Sequence, residues 1–238
     1  MTIRSLRWAT ALSVVAVGMP GVRALDAQAY HYPTFQTSQI SVRDFNFAVA
    51  GDGDYGTMGL AQWREGIGKS TNLNFDGGLS SKDGTTLFFV GGGVVQSLVH
   101  ATKDTPIDIL GTGGVYFTFG NGTLFRLPLG VVIGHTFPLT QTMAVTPYAS
   151  PRLSIDLGTS QWGNALNVNF DLGAELEVTR TIGLRLGFTF GAVADGPNSA
   201  GFGFSIAFRP GGAVNAAPPP APAPKPPAPP PAPNAPPP

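Results

Sequence analysis

From Ala165 to Val178 the chain reads ALNVNFDLGAELEV, with Leu166, Val168, Phe170, Leu172, Ala174, Leu176 and Val178 on one parity. Asn167, Asn169, Asp171, Gly173, Glu175 and Glu177 hold the other. Successive side chains of an extended chain point to opposite faces, so this is a long strand with one apolar and one polar side. Ile182 to Ala192 repeats the scheme, setting Leu184, Leu186, Phe188 and Phe190 against Arg185, Gly187, Thr189 and Gly191. Met143 to Leu157 repeats it again, with Val145, Leu153 and Ile155 opposed to Tyr148, Ser150, Arg152, Ser154 and Asp156. Helical spacing of three and four is scarce, and the fold class is all-β.

Turn formers punctuate the alternation at 51–56, 65–70, 80–84, 102–106, 120–122, 138–142, 158–164, 179–181 and 194–200. Asp-Gly and Asn-Gly among them are favoured hairpin turns. Nine turns predict ten antiparallel strands, an even number that returns both chain ends to one side. The strands holding MGLAQWREG and TLFFVGGGVV alternate less cleanly, and one misread hairpin would leave eight. Pro128, Pro147 and Pro151 lie inside proposed strands, where a missing ladder donor requires a bulge or an early end to pairing.

Alternation alone does not separate a soluble sandwich from a membrane barrel, since both have one apolar face. Composition does. Only 12% of residues are charged, about half the share usual for a soluble domain, while the hydrophobic share is an ordinary 42%. The polar faces carry Gly, Asn and Thr rather than the Lys and Glu of a solvated sheet. Aromatic residues gather near strand ends, Tyr55 and Trp162 at one rim and Trp63, Phe137 and Phe208 at the other, as an interfacial girdle requires. These features predict a closed antiparallel transmembrane β-barrel over residues 30–210, in contact with outer-membrane lipid.

The flanks differ in kind. Arg4 and Arg7 precede an apolar run from Trp8 to Met19, and Ala27-Gln28-Ala29 is a small-x-small site, so residues 1–29 are expected to be a signal peptide cleaved before Tyr30. Cysteine is absent, which excludes disulfides and thiolate metal sites. Beyond Pro210, 14 of the last 21 residues are proline, so residues 211–238 are expected to be disordered or polyproline II. A balanced charge of +0 offers no electrostatic case for nucleic acid.

The segment GFSIAF, Gly203 to Phe208, resembles the terminal signal of Gram-negative outer-membrane barrels, with Gly203 followed by Phe204, Ile206 and Phe208. The resemblance implies that the barrel-insertion machinery reads this strand and that the protein resides in the outer membrane of a Gram-negative bacterium. The Pro/Ala tail is similar to the linker that joins OmpA-type barrels to a peptidoglycan-binding domain. That likeness implies a periplasmic spacer touching the cell wall or a partner; a solvated tail is the plainer alternative.

Chemistry-bearing motifs are few. His31, His100 and His135 stand in the lead-in or near periplasmic strand ends, away from an outer rim where a catalytic His would work. Asp52-Gly53-Asp54 begins like a calcium loop but has Trp63 at the twelfth position, where a Glu is needed. Gly91-Gly92-Gly93 lacks the Lys and helix of a phosphate loop, leaving close packing or a bulge. The expectation is of no enzyme, no cofactor and no metal.

The interior remains. Hairpin register about Arg180 places Glu175 opposite Arg185, register about 158–164 places Arg152 opposite Asp171, and register about Thr140 places Arg126 opposite Ser154, diagonal to Asp156. The six charges are expected to form a lumenal network. The role expected is structural, a barrel that anchors its tail or supports the envelope; a narrow channel for small solutes and a surface adhesin are the alternatives.

Overall fold

The computed structural model describes residues 34–41, 43–52, 56–82, 84–102, 104–120, 122–159, 164–193 and 199–210. The expected signal peptide, the Pro/Ala tail, Tyr55 and Trp162 lie outside them. The strands are β1 (Arg43–Asp52), β2 (Gly56–Ile67), β3 (Thr71–Lys82), β4 (Thr85–Val99), β5 (Asp108–Gly120), β6 (Gly122–Gly134), β7 (Phe137–Pro138), β8 (Ala144–Gly158), β9 (Asn164–Thr179), β10 (Ile182–Val193) and β11 (Ser199–Phe208). Neighbours in sequence pair antiparallel, with two exceptions that close the sheet: β1 pairs with β11, and β6 pairs with β8. β7 adds only Phe137 and Pro138 against Val145 and Ala144, so the wall has ten staves. Ten is the number read from the turns, and the eight-strand alternative does not hold.

Closure removes every free edge, which satisfies the backbone donors and acceptors of a sheet with no water around it. Pro128 and Pro151 each meet a lapse in a ladder, the first where β5–β6 pairing jumps from Gly113↔Leu129 to Tyr116↔Arg126, while Pro147 stays paired with Ala174 on β9. Pairing of β6 with β8 runs from Leu124↔Gly158 to Gly130↔Arg152 and resumes at Ile133↔Ala149, skipping the stretch that faces Ser150 and Pro151.

β1 begins and β11 ends at the same rim, where Phe45 pairs with Phe208. The even number of staves returns both chain ends to this rim, which takes the name periplasmic from the sequence expectation, although the longer connections lie here rather than at the opposite rim. Connections at the opposite, outer rim span only one to five residues, whereas those after β4 and β6 on the periplasmic side are longer.

The staves sort their side chains cleanly. Along β11, Phe202, Phe204, Ile206 and Phe208 are 40–49% exposed on the outer wall, while Ser205 and Ala207 are fully buried inside. Along β9, Val168, Phe170 and Leu172 point outward and Asn167, Asn169 and Asp171 inward. The blurred strands have a reason. β2 turns Met58, Leu60, Gln62 and Arg64 inward, and β4 turns Phe89 and Val95 inward, so part of the inner wall is apolar. Gly91 lies beneath the Tyr116 ring.

What those inward apolar residues touch is the lead-in. Residues 34–41 run inside the lumen, every residue from Phe35 to Ser41 being buried. Phe35 packs with Ala48, Ala50, Met58, Leu60, Phe89 and Leu124 in the outer half. Ile40 packs with Val95, Leu110, Val132 and Tyr148 in the periplasmic half. The barrel therefore has two small hydrophobic cores, each built around one residue of an internal strand of chain.

Candidate functional site: the filled lumen

Three sets of ion pairs line the lumen. In the first, the Arg126 guanidinium donates from Nε and Nη2 to the two carboxylate oxygens of Asp156 at 2.7 and 2.5 Å, and Asn167 Nδ2 adds a bond of 2.7 Å to Asp156. Arg126 stands directly opposite Asp156 across β6 and β8, two residues from the expected register that paired it with Ser154. Sums about a turn centre assume a symmetric turn, and the long 135–143 connection carries β7 and is not one.

In the second set, Arg152 Nη2 donates to Asp171 Oδ1 at 2.7 Å and to Thr189 Oγ1 at 3.4 Å. The cross-strand partner of Arg152 is Asn169 and that of Asp171 is Ser150, so this pair is diagonal rather than opposed as expected. A diagonal neighbour is still within reach of a long side chain.

The third set is a chain of alternating charge. Arg185 stands opposite Glu175 and donates to it from Nε at 2.8 Å. Its Nη2 crosses the small residues of β11 to reach Asp44 Oδ2 at 2.5 Å. Arg64 Nη1 lies 3.6 Å from the same oxygen. Glu175 also takes a bond from Arg209 Nη2, and Arg209 lies 3.9 Å from Glu177. Arg185 is fully buried, and a buried guanidinium is tolerated only with its charge matched and its donors used.

Asp44, Arg64, Glu177 and Arg209 were not among the residues singled out by sequence. The first three hold inward parity on their strands, which is the signal that could have found them; Arg209 follows the last stave, where parity no longer guides.

The internal segment is bound to this frame largely through side chains. Thr34 N donates to Asp171 Oδ2 at 3.3 Å, and Thr34 O accepts from Gln62 Nε2 at 3.3 Å and Arg64 Nη2 at 3.2 Å. Asn74 Nδ2 donates to Gln36 Oε1 at 3.4 Å, and Asn72 Nδ2 to Ser41 O at 2.7 Å. Gln39 donates from Nε2 to Thr136 Oγ1 and accepts from Arg209 Nη1 at 3.5 Å. Two wall glycines make room. An ideal Cβ on Gly203 would fall 2.6 Å from Phe35 Cζ, and one on Gly134 would fall 3.0 Å from Ser38 Cβ. Gly203, part of the terminal motif, thus turns inward against Phe35 while Phe204, Ile206 and Phe208 face out. Between segment and wall remains a cavity of about 70 Å³, bordered by Thr34, Gln36, Arg64, Asp76, Tyr116 and Arg152.

The outer wall decides the setting. Large apolar side chains are exposed on all ten staves, from Phe47 at 64% and Leu129 at 62% to Phe188 at 48%. Exposed apolar surface on that scale has no stable arrangement in water, and a closed ten-strand antiparallel wall is the β-structure that crosses a bilayer. The protein is an outer-membrane β-barrel. Its outward row lies against lipid. On the periplasmic half Trp63 stacks between Phe45 and Phe75, at centroid distances of 6.4 and 5.4 Å, as part of the aromatic band.

No protein-family model matches the chain, and no curated protein matches it in sequence. Solved structures similar to the barrel include a bacterial polysaccharide outer membrane secretin, at 9% identity and TM-score 0.45 over 68% of this chain. The chain spans 57% of that secretin's length. The β domain of the Bordetella autotransporter BrkA is similar at 10% identity and TM-score 0.42, over 70% of this chain and 97% of that one. OmpT, an outer membrane protein of Vibrio cholerae, is similar at 11% identity and TM-score 0.31, over 76% and 70% of the two chains. Likeness at this level concerns architecture only. The expectation that the chain is no enzyme is corrected accordingly: an architecture shared with proteins such as OmpT does not decide activity.

Proposed function

We propose that the protein serves as a closed structural barrel of the outer membrane, one that supports the envelope and anchors its Pro/Ala tail on the periplasmic side. The observation that carries this reading is the occupied lumen. A barrel of eight strands is just wide enough to be filled by its own side chains, and ten strands add modest width. Here that extra width is taken up by residues 34–41, which lie over a wall lined with buried arginine–carboxylate pairs. Beside the segment, the cavity of about 70 Å³ has room for several waters. Outer-rim connections of one to five residues offer little surface for an adhesin. The terminal motif, through Phe204, Ile206 and Phe208, supports recognition by the insertion machinery, and the tail's composition supports a spacer that meets peptidoglycan or a periplasmic partner.

A second reading, a narrow channel, draws on the polar lining of that cavity. Planar-bilayer recording of the purified protein separates the two. The structural reading expects silence from protein whose gel mobility is heat-modifiable, and sensitivity to detergents and bulky dyes in cells that lack it. Steady ohmic conductance from the native protein would overturn it in favour of the channel.

A further inference from the structure

Apart from a single bridge at Ser41, residues 34–41 belong to no sheet among the described residues, although they fill the lumen. The ladder of ten staves is continuous without them. Their composition is mostly polar: Thr34, Gln36, Thr37, Ser38, Gln39 and Ser41, with Phe35 and Ile40 as the two apolar anchors. Each anchor occupies its own apolar pocket on an otherwise polar wall. Phe35 adopts a left-handed backbone, φ 50°, which a bulky residue takes only where its surroundings impose it.

We propose that residues 34–41 are a releasable seal over a latent hydrophilic pore. The inference rests on the closed-barrel reading and names the element that keeps the barrel closed. Three features of the wall point to a made seat. Inward Met58, Leu60 and Phe89 interrupt the polar face only where Phe35 lies, and Val95, Leu110 and Val132 only where Ile40 lies. Gly203 and Gly134 leave the volume of a side chain to Phe35 and Ser38. The carboxylate of Asp171 accepts from the Thr34 N–H and the guanidinium of Arg64 donates to the Thr34 carbonyl, from different staves.

Withdrawing the segment would expose Asn46, Gln62, Asn72, Asn74 and Asp76 around an open bore continuous with the present cavity, a lining suited to small hydrophilic solutes. The arginine–carboxylate chains lie along the wall between staves and brace it. They are the frame of the bore, and the segment is its stopper.

The absence of cysteine in the whole sequence provides the test. In S38C/G134C, the Cβ of residue 134 would lie 3.0 Å from that of residue 38, within about 1 Å of the ~3.8 Å a disulfide spans, and 2.7 Å from Pro147 O, so a small shift of the wall away from both contacts accompanies the bond. Four proteins are recorded in planar bilayers after heat-modifiable mobility has established folding: native, F35A/I40A, S38C/G134C, and the variant with all four changes, the last two oxidised and then reduced. Frequent ohmic steps are expected from F35A/I40A, with silence from oxidised S38C/G134C. Adding F35A/I40A to the oxidised pair should leave it silent until a reductant is supplied. A folded F35A/I40A that stays as silent as the native protein would overturn the seal while leaving the closed-barrel reading intact. Failure of the two cysteines to cross-link would overturn the seat. Steady native conductance would instead remove the closed-barrel reading.

Discussion

The ring of Phe35 takes the space that any side chain at position 203 would need: an ideal Cβ there lies 2.6 Å from Phe35 Cζ and 2.9 Å from Ala50 Cβ. A glycine in the strand that carries the terminal motif is thereby tied to a residue in the lead-in, more than 160 positions away in sequence.

Gly203→Ala should therefore destabilise the barrel by roughly 1–3 kcal/mol, the usual cost of overpacking a well-filled site. Phe35→Ala removes the closer of the two contacts, so Gly203→Ala should cost less in that background, the remainder coming from Ala50 Cβ. Urea titration of folded protein in detergent, read as loss of heat-modifiable mobility, gives the coupling energy. Additive single effects would mean that the two residues do not meet.

Removing Arg185 leaves Asp44 and Glu175 facing one another without the cation between them. Arg185→Met should cost about 3–5 kcal/mol, because breaking a buried ion pair from one side strands the opposite charge. Adding Glu175→Gln should restore part of that loss, because Asp44 keeps Arg64 and Arg209 keeps Glu177. The same urea measurement checks both steps, and a double variant no more stable than Arg185→Met would contradict the assignment.

Depth in the bilayer sets the cost of a charge on the outer wall. Leu172 lies midway along β9 and Val178 near its periplasmic end. Leu172→Arg should destabilise by about 2–4 kcal/mol and Val178→Arg by about 0–1 kcal/mol. Equal effects in folding titrations into lipid vesicles would argue against the orientation of this stave.

Phe208→Ser removes the last outward aromatic of β11. Unassisted folding into vesicles should change little, whereas the amount assembled in cells should fall, since only assembly in cells depends on recognition by the insertion machinery. Parallel losses in both assays would give Phe208 a purely structural role.

Deleting Ala217 to Pro238 should leave insertion and stability of the barrel unchanged, because β11 ends at Phe208 and its partners precede it. Heat-modifiable mobility of the truncated protein checks this, and loss of insertion would show that the wall depends on the tail.

Strand number, the direction each stave faces and the membrane setting were all legible in the sequence, since each depends on a period of two that every residue of a stave reports locally. Glu175 opposite Arg185 was legible for the same reason, the two-residue turn between β9 and β10 leaving little freedom of register. The partners of Arg126 and Arg152 were not, because long or asymmetric connections set their registers. The lead-in was least legible. Residues 34–41 have no period to read, and their place follows only once ten staves close around a bore wide enough to admit them. Apolar residues on the inner faces of β2 and β4 were visible as a blurred pattern, but their meaning depended on Phe35 and Ile40, which approach them across the lumen rather than along the chain. Local alternation thus determined the wall, and the filling of its interior was decided by contacts that exist only after closure.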